Sequence, residues 1–134
     1  NILLIKCKQL YLPKNIKKSE EQDINQRFIH LLEKHYSNKH QVQEYADLLD
    51  ITSDRLNQVT KESNGTLASK MIHDRVLLEA KRLLIHTNYS SKEIAYALNF
   101  NDPAYFGRFF KSKIKMTPLQ FKKEAKEKYN PKEQ

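Results

Sequence analysis

Glycine is nearly absent from this chain, with two in 134 residues, and proline is scarce, with four. A chain so poor in turn formers, and rich over long stretches in Leu, Lys, Glu, Gln and Ala, favours helices throughout over a sheet. Cysteine is limited to Cys7, which excludes an internal disulfide or a Cys-based zinc cluster and fits a reducing cytoplasm. Long apolar runs are missing too: the longest, residues 2–5, is far too short to span a bilayer or to form the core of a signal peptide. No membrane partner is expected. There is no Gly-rich phosphate loop, no nucleophile elbow and no HExxH pattern, and the spacing of His30, His35, His40, His73 and His86 aligns no two imidazoles well on one helix face. These histidines are read as structural or solvated. The chain is expected not to be an enzyme, and to hold no metal and no cofactor.

What is present is positive charge. Lys and Arg outnumber Asp and Glu by 24 to 16, a net charge of +8, and such a field attracts polyanions. At this length and 39% hydrophobic content, one modest core or two small ones can be buried. The chain begins at Asn1 rather than Met, and is read as a piece of something longer. Residues 1–18 are expected to be the tail of a preceding domain, with the apolar stretch 2–12 as a candidate dimerisation element and 13–18 as a basic linker opened by the helix breaker Pro13.

Seven helices follow from periodicity and cap signals. Ser19 with Gln22 opens one to about residue 36, with Ile24, Phe28, Leu31, Leu32 and His35 on its packing face. Short helices are expected at 42–49 and 52–63, then a long one from Thr66, after the stop at Gly65, to about His86. Ser90 with Glu93 opens the next, Asp102 and Pro103 the one through Lys113, and Thr117, Pro118 and Gln120 the last. The expected division is a first helix-turn-helix subdomain at 19–65, a linking helix at 66–86, a second subdomain at 87–127 and a tail at 128–134.

An internal repeat ties these pieces together: Ala46, Leu49, Ile51, Leu56, Lys61 and Gly65 are answered by Ala95, Leu98, Phe100, Phe106, Lys111 and Lys115, with one extra residue between Phe100 and Phe106. Each copy is a small-residue helix, a tight turn and a second helix with a polar outer face, the sequence form of a helix-turn-helix. In the first copy Leu56 and Val59 point inwards, leaving Asp54, Arg55, Asn57, Gln58 and Lys61 outside. In the second, Phe106, Phe109 and Phe110 pack, and Tyr105 is held as core with them, leaving Asn101, Asp102, Ala104, Gly107, Arg108 and Lys111 near a groove. Asn, Gln and Arg can pair with adenine or guanine edges, while Lys serves phosphates. Asp54 suits a helix N-terminus better than a base edge. A linking helix of about twenty residues is a rod of roughly 30 Å, against about 34 Å for one turn of B-DNA. Two reading helices in successive major-groove segments are therefore expected.

The stretch from Glu93 to Lys111 (EIAYALNFNDPAYFGRFFK), followed by Met116, Thr117, Pro118 and Phe121, resembles the signature of the AraC/XylS transcription regulators. The resemblance covers roughly residues 19–126. Residues 72–84 are similar to that family's linking helix and residues 42–65 to its first, more variable unit. It implies an all-α DNA-binding domain with two helix-turn-helix units joined by a long helix. Asp50, Asn99 and Lys115 stand where the family usually has glycine; Asn accepts the left-handed backbone such turns need, whereas Lys is strained there. Thr60 replaces an aromatic, and Gln41 a Ser or Thr cap.

Double-stranded promoter or operator DNA is the expected partner. RNA polymerase and a second copy, joined through a missing N-terminal domain, are further candidates. The rival reading is a basic helical module that binds an acidic protein without DNA specificity.

Overall fold

In the computed structural model residues 12–129 are described, and the readings made on residues 1–11 and 130–134 lie outside them. The described residues form seven helices and no strand: α1 (Leu12–His35), α2 (Val42–Leu49), α3 (Ser53–Asn64), α4 (Ala68–His86), α5 (Ser91–Ala97), α6 (Pro103–Ile114) and α7 (Pro118–Tyr129). None is long and apolar enough to cross a membrane. The chain divides into two compact units, one holding residues up to Lys34 together with Gln41–Ile72, the other His35–His40 together with the residues from His73 onward. The border thus falls inside α4.

The helix expected from Ser19 starts earlier, at Leu12. A proline in the first turn of a helix lacks only an N–H that has no intrahelical acceptor anyway, so Pro13 opens α1 instead of breaking the chain, and Ser19 and Gln22 lie within it. In the first unit Phe28 and Leu32 of α1 are buried with Tyr45, Leu49, Leu56 and Val59. Phe28 meets Tyr45 edge-on, with ring centroids 5.5 Å apart. Burial pushes the Tyr45 phenol well above its usual range. Thr60, where an aromatic was the family norm, is fully buried and settles its hydroxyl by donating to the Asn57 carbonyl at 3.1 Å.

The second unit is held by aromatics. Phe100 lies 5.1 Å from Phe106 and 5.7 Å from Phe109, and Phe110 lies 6.1 Å from Phe106 and 5.7 Å from Phe121. Such tilted and edge-on pairs suit the quadrupoles of the rings. Ile94 and Ala95 of α5, Leu98 just after it and Leu84 of α4 complete this core.

The two turns are built alike. After α2, Asp50 takes φ 58° and the Ile51 N–H reaches the Ala46 carbonyl at 3.0 Å; after α5, Asn99 takes φ 64° and the Phe100 N–H reaches the Ala95 carbonyl at 2.8 Å. In each, one left-handed residue reverses the chain so that the second helix of the pair can fold back.

Candidate nucleic-acid interface

Helices α3 and α6 each run twelve residues and share one register, position 53 answering to 103 and position 64 to 114. Leu56 and Phe106 are buried at one matched position, Thr60 and Phe110 at another. Exposed at matched positions are Asp54 and Ala104, Gln58 and Arg108, and Lys61 and Lys111. Positions spaced by four and then three residues stand on one face of a helix, so each unit presents a single outward row of three. Gln58 and Arg108 take the centre of the two rows. Asn101 is also exposed, just before α6.

Other candidates are placed differently. Asn57 is half-buried, and its side-chain oxygen accepts the Ala68 N–H at 2.9 Å and the Ser69 N–H at 3.4 Å, so it caps the start of α4. This replaces the start expected at Thr66. The position just before α4 is occupied by Leu67, which has no acceptor to offer, and Asn57 supplies one from the neighbouring helix. In the second unit the matched pair is reversed. Thr117 precedes α7 and accepts the Gln120 N–H at 3.1 Å, while Gly107 stands at the register of Asn57 with no side chain at all. Nothing lies within 4 Å of where a Cβ on Gly107 would stand. Asn57 and Gly107 are therefore both half-buried positions outside the exposed row.

Arg55 is half-buried as well. Its guanidinium lies 3.4 Å from the Glu21 carboxylate on α1, a partner that nothing in the local sequence signals. Its backbone N–H donates to the Thr52 hydroxyl at 3.0 Å, the cap of α3. Asp102 plays the same part for α6, its carboxylate accepting the Ala104 N–H at 3.0 Å. Its charge is thus placed at a helix N-terminus rather than on a groove face. Tyr105, held as core, is instead 55% exposed. The repeat register is the signal that could have found it, since it aligns Tyr105 with Arg55 and not with the packing positions. Lys113 and Lys115 also lie exposed at the end of α6, with Lys115 at φ 73°.

Two histidines belong to the second core. His40 lies over Phe100 with ring centroids 4.6 Å apart, and His73 meets Phe109 edge-on at 5.2 Å. Burial holds the His73 imidazole below its ordinary value, helped by the charge of Lys113 and by His40, against an opposing pull from Asp74. Among the described residues, no three His, Cys, Asp or Glu side chains are grouped to hold a metal ion.

A family described as a helix-turn-helix domain matches residues 45–124. The chain is 25% identical over 91 residues to the HTH-type transcriptional activator RhaS of Enterobacter sp. (strain 638), an overlap of 68% of this chain and 33% of that protein. It spans about a third of the length of the first curated relatives it matches. In three dimensions it is similar to the C-terminal domain of the two-component response regulator yesN of Fusobacterium nucleatum, with a TM-score of 0.68 and 25% identity over 75% of this chain and 98% of that one. The DNA-binding domain of AdpA, a global transcriptional factor solved in complex with a target DNA, shares the fold at a TM-score of 0.67 and 18% identity, covering 78% of this chain and 94% of that one.

Proposed function

This chain belongs to the AraC/XylS-type helix-turn-helix family, and from that premise we propose that it binds duplex DNA sequence-specifically as the DNA-binding part of a transcription regulator. The observation that carries this reading is the matched exposed row on α3 and α6. Its central residues, Gln58 and Arg108, are types that pair with adenine and guanine edges, and each row ends in a lysine suited to a phosphate. The proposed reading set is Gln58 and Lys61 from the first unit with Asn101, Ala104, Arg108 and Lys111 from the second. Arg55 and Asp102 take supporting places through Glu21 and the α6 cap.

Each reading helix would occupy a major-groove segment, the two segments being successive. The chemistry is recognition, not catalysis, carried out in the cytoplasm. RNA polymerase and a second copy of the chain are the further partners such a regulator would engage.

Selection from random duplex pools tests this. A bipartite motif with its parts about one helical turn apart should be enriched, and Arg108→Ala should relax preference within one part by about 1 to 3 kcal/mol while leaving the other unchanged. Absence of any enriched motif would sink the reading in favour of protein binding.

A further inference from the structure

The two helix-turn-helix copies carry opposite charge. Residues 42–65 hold the acids Glu44, Asp47, Asp50, Asp54 and Glu62 against Arg55 and Lys61. Residues 91–115 hold Lys92, Arg108, Lys111, Lys113 and Lys115 against Glu93 and Asp102. Burial sharpens the contrast. Asp47, Asp50, Asp54 and Glu62 are exposed, whereas Arg55 is half-buried and shares its charge with Glu21. In the second copy all five bases are exposed and outnumber the two acids, which are exposed as well and keep their charge while capping helices, Glu93 accepting the Ser90 N–H at 3.0 Å and Asp102 the Ala104 N–H.

DNA attracts a protein through the cations set against its phosphates, each releasing bound counterions, and at physiological salt the field of a group reaches only about 8 Å. Each copy therefore meets the duplex with its own local charge, not with the total of the chain. We infer that, of the two copies, the second supplies the larger share of the phosphate affinity, and that the first contributes sequence discrimination without net attraction, its acids at Asp47, Asp50 and Asp54 flanking the start of α3. This rests on the DNA-reading function proposed above.

The test uses the full chain and the duplex recovered by selection, with affinity measured by fluorescence anisotropy across a potassium chloride series. Lys111→Gln with Lys115→Gln, the next exposed base at a spacing of four on the same face, should lower the salt slope by about two and weaken binding more than tenfold at low salt, about 0.9 of slope being lost per phosphate contact. Lys61→Gln, which removes the first copy's one exposed base, should cost a single phosphate contact, a loss of slope of about 0.9 and about half that of the double variant. Asp47→Asn with Asp54→Asn should strengthen binding at least about threefold at low salt, a gain that no misfolded variant produces. A loss of slope in Lys61→Gln equal to that of the double Lys→Gln variant, or no gain from the two Asp→Asn changes, would overturn the inference. If the unaltered chain fails to prefer the selected duplex over a random one, the DNA-reading function itself falls; if it prefers it and the slope is shared equally, only the division of charge falls.

Discussion

Lys115 holds a left-handed backbone at φ 73°, where a Cβ crowds the following carbonyl and costs an L-residue about 1 to 2 kcal/mol. Gly65, at the same register in the first copy, meets that geometry without a Cβ, at φ 75°. Lys115→Gly removes the crowding but adds backbone freedom to the unfolded chain, and the balance should stabilise the second unit by roughly 0.5 to 1 kcal/mol. Chemical denaturation of the two proteins checks this. Asn99→Gly should yield less, because Asn already tolerates φ 64° through its short polar side chain. Equal gains at both sites would show that Cβ crowding is not what Lys115 suffers.

At the scale of elements, the two copies solve one problem in opposite ways. A helix that begins two or three residues after a left-handed turn exposes N–H groups that need acceptors. Thr117 supplies its own for α7, while Leu67 cannot for α4, and Asn57 reaches across from α3. Asn57→Ala should therefore destabilise the first unit by about 1 kcal/mol, the usual worth of an N-cap. Leu67→Thr, at a half-exposed site with little packing to lose, should recover most of that loss in the Asn57→Ala background and change little in the parent. Recovery is the informative outcome, since a base-reading role for Asn57 would leave stability untouched and Leu67→Thr without effect.

At the scale of the whole molecule, two groups of the second unit couple ionisation to stability in acid. His73 is held below its ordinary value of 6.5, so the fold favours the neutral ring: its contribution is complete above 6.5 and is lost as pH falls from there through the depressed value. Glu79, held below its usual 4.5 first by its bond with Arg82, adds a second loss under more acidic conditions. Thermal melts should show a lower midpoint at pH 5.5 than at pH 7.5, and His73→Gln should flatten that difference. An unchanged difference in His73→Gln would place the acid sensitivity elsewhere. Net charge also means something only when divided. The total of +8 attracts polyanions, yet the exposed acids of the first copy and bases of the second give each copy its own local field.

Helix content, the two matched copies and the buried residues Leu56, Val59, Phe106 and Phe110 were legible in the sequence, because each depends on local geometry: backbone preference, a cap within four residues, or a repeat of 3.6; the left-handed positions Asp50, Asn99 and Lys115 were marked only by the resemblance to a family with glycine there. The same logic carried Gln58, Lys61, Arg108 and Lys111 to the exposed face. What only the tertiary structure decided is where a side chain finds a partner far along the chain. Asn57 looks like a base reader until Ala68 is packed beside it, and Arg55 looks free until Glu21 arrives from α1. Helical periodicity assigns a direction to a side chain; whether that direction leads to solvent, to a groove or to another helix depends on packing between elements, which no local pattern encodes.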